Sequence, residues 1–400
     1  MVAPTSAQLA GDPGAPSAAI ISARGSAMER LILSTSACGL GIELGGETAV
    51  VRGSRSDLAR LEDELRDRGE SRVAEALHRY LHPVPGWQLR TRTLPLDRPQ
   101  IIGILNLTND SFSGDGVGTD ATAALRHAAE LQLAGADIID VGGESARADR
   151  PVVEAGEEAR LMAAVIAALV RERHVVSCDT YKAAVAQAAL DAGAEIINDI
   201  SGLTIGREAA EAAARAGAGY VLNYSYSEPK RRPASRPVYD DVVAETLAWM
   251  EPRIARLDAM GLGRDRVAID PGIAFGKSHD EDIQIVRRIG ELQTFGQPVM
   301  LAHSRKNYIG SVATGSAAPA SRDLETHITT AIAYQQGVRL FRVHDVAGTV
   351  RALGMAAALT TSASGEFAPD GESWPWRAGA SAAHMTTAAP DKRAPAGQRW

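Results

Sequence analysis

Between residues 101 and 361 short runs rich in Ile and Val alternate with longer stretches rich in Ala and Leu. The runs are IIGILNLT (101–108), DIIDVGG (137–143), HVVSCDT (174–180), EIINDIS (195–201), GYVLNYS (219–225), VAIDPG (267–272), PVMLAHS (298–304) and LFRVHD (340–345). Near-continuous apolar runs suit strands buried on both faces, as in a parallel sheet. The stretches between them carry helical spacing; Leu125, Ala128, Ala129 and Leu131 follow it after the first run. GAG, GAD and GAE segments ahead of several runs read as helix stops. Eight strand–helix units predict an α/β fold, a (β/α)8 TIM barrel over 96–361. An open doubly wound sheet is the competing architecture, but the chain has no GxGxxG turn to support it.

Residues 29–95 break this rhythm. LILSTSACGLGIELGGETAVV suggests strands interrupted by Gly pairs, and DLARLEDELRDRGESRVAEALHRYL suggests helix. Asp57 is the expected N-cap there, with Leu58, Leu61 and Leu65 on one face. These features predict a small N-terminal α+β module, joined to the barrel through the Pro-containing segment 83–99. Residues 1–28 and 362–400, rich in Ala, Ser, Gly and Pro, read as a disordered leader and a disordered tail, the tail carrying Trp374, Trp376 and Trp400.

Composition narrows the function classes. Lys plus Arg (42) against Asp plus Glu (49) gives a formal charge of −7, which argues against a broad basic nucleic-acid surface but not against a local basic pocket for a small anion. No apolar run approaches the roughly 18 residues of a membrane span. The start also lacks a basic stretch followed by the apolar core of a signal peptide. Two cysteines, Cys38 and Cys178, make neither a disulfide framework nor a zinc cluster and suit a reduced, cytoplasmic setting.

Each run ends in polar residues: Asn106 and Thr108; Asp140 with Glu144, Ser145 and Arg147; Asp179; Asn198 and Asp199; Asn223 and Tyr224; Asp270; Ser304, Arg305 and Lys306; Arg342, His344 and Asp345. One polar residue at a strand end ordinarily caps a helix or satisfies loop amides. Eight such ends converging on the C-terminal mouth of a barrel mark a site. Arg305, Lys306, Arg342 and His344 on neighbouring runs seven and eight predict an anion site. Asp179, Asn198 and Asp270 supply buried acceptors suited to a heterocycle rich in N–H donors. Together they point to a phosphorylated small molecule with a polar ring. A carboxylate-rich metal hydrolase would draw on several histidines; of nine, only His303 and His344 fall near the expected mouth.

These segments resemble the dihydropteroate synthase family over essentially all of 100–361. NLTNDSFSGDG (106–116) is similar to the family's first loop, NxTPDSFSDGG, and DIIDVGGESARADR (137–150) to its second, DIGGESTRPG. CDTYKAAVA, IINDISG, DPGIAFGK, HSRKNYIG and RVHDVAGTV follow in the family's order. The resemblance implies a transferase that joins 7,8-dihydropterin-6-ylmethyl diphosphate to p-aminobenzoate, releasing pyrophosphate, with Mg2+ as cofactor. It implies that Asp179, Asn198, Asp270 and Lys306 hold the pterin, and that Asn106, Arg342 and His344 bind the diphosphate, with Mg2+ near Asn106. Arg147 and Ser304 would lie near the arylamine. Family members are commonly dimeric, so a homodimer is implied too.

The departures are local. Asn109 stands where the first loop has Pro, and Gly114–Asp115 reverses its Asp–Gly order. Ala146 replaces Thr and Ala148 replaces Pro in the second loop; Ala274 replaces Gly in DPGIGFGK. NYSYSEP (223–229) stands where members read MHMxGxP, followed by the cationic KRRP (230–233). The departures leave two alternatives to a folate-pathway enzyme: a divergent paralogue using another amine or acceptor, and a non-catalytic pterin-binding protein. Tyr224 and Tyr226 are the expected new phenols of the pocket.

Overall fold

The computed structural model describes residues 17–22, 26–38, 40–45, 48–107, 116, 121–146, 149–231, 235–313 and 318–360. The N-terminal module is a three-stranded antiparallel sheet of order β1–β3–β2, made of β1 (Ser17–Ser22), β2 (Gly41–Gly45) and β3 (Thr48–Gly53). It packs with helices α1 (Ser26–Ala37), α2 (Arg55–Asp67) and α3 (Ser71–Leu81). The module has its own core, in which Leu31 and Val51 meet Leu58, Leu61, Leu65 and Leu77.

Three expectations are corrected in this module. The leader expected to be disordered over 1–28 contains β1 and the start of α1; β1 gains a full ladder from β3, a non-local pairing that no local pattern announces. Segment 31–37, expected as strand, is helix: Leu31, Ser34 and Thr35 share a buried face, and Thr35 Oγ1 donates to Leu31 O at 2.7 Å. Short apolar runs carry no period long enough to separate the two outcomes. Ser54, not Asp57, caps α2. Asp57 N–H donates to Ser54 Oγ and Ser54 N–H returns a bond to Asp57 Oδ2, both at 3.2 Å, a reciprocal capping box. Residues 1–16 and 361–400, with Trp374, Trp376 and Trp400, lie outside the described residues.

Segment 83–99, expected as a linker, forms the floor of the barrel. It holds a hairpin of β4 (Gly86–Gln88) and β5 (Thr93–Pro95). The eight parallel strands that follow are β6 (Gln100–Asn106), β7 (Ile138–Gly142), β8 (Val176–Asp179), β9 (Ile196–Asp199), β10 (Gly219–Asn223), β11 (Val267–Asp270), β12 (Met300–Leu301) and β13 (Leu340–Val343). They are hydrogen-bonded in the order β11–β10–β9–β8–β7–β6–β13–β12. Ile269 N–H donates to Pro298 O at 2.9 Å and Ile269 bridges Val299, which brings the ends of that order together. All eight expected strands are present. The outer ring consists of α4 (Ala121–Ala134), α5 (Ala155–Arg171), α6 (Ala183–Asp191), α7 (Glu208–Ala216), α8 (Val242–Ala259), α9 (His279–Arg287), α10 (Asn307–Ala313), α11 (Asp323–Gln335) and α12 (Val346–Thr360). The Gly217 stop is in the left-handed region at φ 65°, as its place between α7 and β10 demands. Among the described residues no helix is long and apolar enough to cross a membrane.

Strand alternation sorts the interior into layers. Ile102, Ile138, Ile196, Val221, Ala268, Met300 and Leu340 pack together at the N-terminal end of the barrel with Trp87 and Leu89 of the hairpin segment. Trp87 is wholly buried, its Nε1–H donating to Arg266 O at 2.9 Å, so its polar handle is satisfied. Two residues further along, the inward positions on five of these seven strands turn polar: Asp140, Asn198, Asn223, Asp270 and Arg342. A dry floor under a polar mouth follows from that two-residue period.

Candidate functional site

An open cavity of about 700 Å3 occupies the C-terminal mouth. Asn106, Asp179, Asn198, Asp270, Ser304, Lys306, Arg342 and His344 all line it, so eight of the nine candidate site residues converge from six strands and the segments that follow them. The ninth, Arg147, lies outside the described residues, as does most of the first loop from Thr108 to Asp115.

The floor of this cavity is an ion network. Arg342 Nε donates to Asp140 Oδ2 at 2.6 Å, and its Nη2 donates to Asp179 Oδ2 at 2.9 Å. Asn198 Nδ2 donates to the same Asp140 oxygen at 3.1 Å. Burial pushes the Asp179 carboxyl up to about 7, against the opposing pull of the Arg342 guanidinium. Burial likewise raises Asp270, while Lys306 and the Gly272 N–H work against it. Asp270 Oδ1 accepts from Gly272 N–H at 2.7 Å. Its Oδ2 is buried with no hydrogen-bond partner within the described residues. A buried acceptor left open in a cavity wall is a place for a ligand donor. Lys306 donates to Ile273 O at 2.6 Å with its ammonium 5.1 Å from the Phe275 ring centroid; burial lowers its pKa. His344 Nδ1 lies 2.8 Å from Ser304 Oγ, which also accepts from His344 N–H at 3.2 Å.

Three expectations about the mouth are corrected. Arg305 does not join the cationic set: its guanidinium makes a two-point pair with Asp323, at 2.7 and 2.8 Å, and it does not line the cavity. His303 is a core residue whose Nε2 meets Thr326 O and Thr330 Oγ1, each at 3.0 Å, and burial pushes its pKa down to about 4. Tyr224 is turned away from the cavity. Its hydroxyl meets that of Tyr239 at 2.8 Å and its ring packs on Trp249 at 4.8 Å, whereas Tyr226 does line the cavity.

A buried charge cluster behind the second loop was not singled out by the sequence. Glu144 Oε1 accepts from Tyr181 Oη at 2.7 Å, and Oε2 accepts from Lys182 Nζ at 2.8 Å and Val153 N–H at 2.6 Å. Lys182 also reaches Glu158 at 2.5 Å. Lys230, from the KRRP stretch, lies 3.8 Å from Glu144 and donates to Ser145 O, so it braces the loop from the strand-five side. Glu144 and KRRP were visible as charges; that they meet was not, because they lie on different βα segments.

Asn106 and Asp179 flank Gly142, where an added Cβ would sit 3.4 Å from Asn106 Oδ1 and 3.8 Å from Asp179 Oδ2. These hard oxygen donors suit a small hard cation that brings its own waters and shares phosphate oxygens. The mouth has no protein-only metal cage: among the described residues the one converging set of three His, Cys, Asp or Glu donors is Glu62, His78 and His82, in the N-terminal module.

Comparison with known proteins agrees with this geometry. The family model described as "Pterin binding enzyme" matches residues 102–344. The dihydropteroate synthase of Escherichia coli is 36% identical over 271 residues, covering 68% of this chain and 95% of that protein. That of Mycobacterium leprae is 35% identical over 263 residues, covering 65% and 93%. Among solved structures, the Yersinia pestis dihydropteroate synthase with a sulfonamide drug complex aligns at TM-score 0.64 and 36% identity, over 68% of this chain and 98% of that one. The Xanthomonas albilineans enzyme in complex with 7,8-dihydropteroate aligns at 0.61 and 36%, over 70% and 100%. With the family's motifs in order along one barrel and nearly the full length of these relatives matched, the chain belongs to the dihydropteroate synthase family of pterin-binding enzymes.

Proposed function

We propose that this protein joins 7,8-dihydropterin-6-ylmethyl diphosphate to p-aminobenzoate and releases pyrophosphate, a step of folate biosynthesis. The observation that carries the reading is one cavity lined both by the acceptors Asp179, Asn198 and Asp270 and by the cations Lys306 and Arg342. Asp179, Asn198 and Asp270 accept from and orient the pterin ring, and Lys306 lies against it. Arg342 and His344, with Asn106, bind the diphosphate. Ser304, held by His344, faces the arylamine, and Arg147 is assigned to the same substrate by its place in the family's second loop.

In the reaction the bond between the pterin methylene carbon and the diphosphate oxygen breaks, and its electron pair leaves with pyrophosphate. Arg342 and His344 stabilise that growing negative charge in a site already set for it. The electron-rich ring stabilises the cationic methylene. The amine nitrogen attacks that carbon, forms the C–N bond and loses a proton. The residues mainly bind, orient and neutralise charge. Mg2+ at Asn106 would supply further neutralisation of the leaving diphosphate. A cytoplasmic setting fits the two free thiols Cys38 and Cys178. A homodimer fits the exposed Leu324, Ile328 and Ile332 along α11, beside the exposed Met355 and Leu359 of α12.

A second reading keeps the pterin half and changes the amine. Ala146, Tyr226 and Ala274, all departures from the family pattern, line the cavity. The discriminating experiment is pyrophosphate release from the dihydropterin diphosphate with Mg2+, with and without p-aminobenzoate, and mass identification of the product. Dihydropteroate formation supports the first reading. Release that requires a different amine supports the second. Tight pterin binding without any release would make the protein a non-catalytic pterin binder and overturn both.

A further inference from the structure

The helical pair of the N-terminal module carries a donor cluster that the barrel chemistry does not use. Glu62 on α2, His78 on α3 and His82, the residue closing α3, bring one carboxylate oxygen and two ring nitrogens within 4.8 Å of one another. His78 and His82 are one helical turn apart, with ring centroids at 4.5 Å. Glu62 faces them from the neighbouring helix, its Oε1 3.0 Å from His78 Nδ1. Two imidazoles and one carboxylate, with a further position open to water, are the donors a borderline divalent ion takes, zinc first by type.

We propose that Glu62, His78 and His82 bind a divalent transition-metal ion, zinc by donor type, which clips α2 to the end of α3. Ligand atoms in a tetrahedral zinc site lie about 3.4 Å apart, since each is about 2.0–2.2 Å from the metal. The cluster therefore has to contract by roughly an ångström, and the exposed His82 ring supplies that by a rotamer change. Arg66 is the competitor, donating to Glu62 Oε1 at 2.8 and 3.2 Å. Its side chain is 45% exposed, and Asp63 and Glu75 lie within electrostatic reach, so the ion can displace it without stranding a buried cation. The position is also informative. Pro83 follows His82, and Val84 N–H then donates to Gly296 O at 3.0 Å as the chain passes under the barrel floor. An ion here fixes the module next to that passage, at the end of the barrel opposite the mouth.

The test is a zinc titration of tag-free full-length protein, stripped with chelator and held in excess Mg2+, read by competition with a chromogenic zinc indicator. One equivalent should bind, and cobalt should give the intense visible absorption of a tetrahedral site. His78→Ala and His82→Ala should each weaken binding about a hundredfold or more, at the upper end of what disturbing a metal site costs. Zinc should raise the melting temperature of the wild type and not of His82→Ala. Arg66→Gln, which leaves all three donors in place, should bind zinc more tightly. Binding that is absent in the wild type, unchanged in both histidine variants, or unimproved in Arg66→Gln overturns the proposal. Because the probe is zinc binding rather than turnover, failure here leaves the barrel's reaction untouched.

Discussion

Arg342 donates to Asp179 across the barrel mouth at 2.9 Å, joining the eighth strand of the barrel to the third. With Asp140 on the other side, one guanidinium holds two carboxylates, that of Asp140 buried and that of Asp179 partly buried. It is therefore both a structural partner and, in the proposed reaction, a diphosphate ligand. Arg342→Ala should lower stability by about 3–5 kcal/mol, the usual cost of stranding a buried charge. It should also weaken binding of the diphosphate far more than binding of the bare pterin. Calorimetric titration with both ligands checks this, and equal losses would contradict the diphosphate role.

Among the described residues the Lys306 ammonium makes one hydrogen bond, to Ile273 O, and it lies 5.1 Å from the Phe275 ring centroid in the cavity wall. Lys306→Ala should abolish measurable pterin capture while leaving the melting temperature within a few degrees of wild type. Unchanged pterin affinity would remove Lys306 from the site.

Burial lifts Asp179 to about 7, so near neutral pH part of the population carries a proton there. A pterin N–H needs the ionised form. Pterin binding at pH 7 should then release a fraction of a proton, seen as a dependence of the apparent binding enthalpy on buffer ionisation heat. Asp179→Asn should lose both that dependence and most of the affinity. The same raised value means that the carboxyl's contribution to stability is full below about pH 4 and disappears as pH rises through 7.

Lys277 is buried, donates to Pro271 O at 2.9 Å and Gly272 O at 3.2 Å, and rests on the Tyr224 ring at 3.5 Å. Burial pushes its ammonium from 10.5 down to about 7. For a depressed value the contribution to stability is present above the unfolded pKa and is lost as pH falls through the folded one. Wild type should therefore gain stability relative to Lys277→Met between about pH 7 and 10.5, by about 1.4 kcal/mol per unit of depression. Urea denaturation at several pH values measures the difference; parallel profiles would show that Lys277 titrates normally.

Ala274 sits at φ 67° where the family pattern has Gly, with its N–H donated to Asp282 Oδ1 at 2.9 Å. A left-handed L-residue costs about 1–2 kcal/mol, while Gly loses about 0.5–1 kcal/mol more in backbone entropy. Ala274→Gly should thus stabilise the protein by about 0.5–1 kcal/mol. A loss of stability on urea denaturation would mean the Ala274 methyl packs productively against the cavity.

The eight strands, their order along the chain and the polar residues at their ends were legible in the sequence, because a buried parallel strand needs an apolar run and a barrel gathers the ends of such runs. Which of two neighbouring isoleucines faces inward was not legible in such runs; the structure sorts Ile102 and Ile138 inward and Ile101 and Ile139 outward. What the sequence left open depended on which way a side chain turned, or on contacts between distant segments. Arg305 and Lys306 are adjacent, yet one pairs with Asp323 and the other lines the cavity, because Arg305 adopts φ 60° and leaves the strand direction. Tyr224 and Tyr226 read alike as new phenols, and only packing against Trp249 buries the first. Segment 83–99 reads as a Pro-containing linker because nothing local records that Trp87 will find a barrel floor to fill. The sequence by itself determined the barrel and the residue types at its mouth, since local periodicity encodes which faces must be buried. The ion network of Arg342 with Asp140 and Asp179, the floor under Trp87, and the meeting of Glu62 with His78 and His82 were decided by tertiary structure, since each depends on side chains that become neighbours only when distant segments pack.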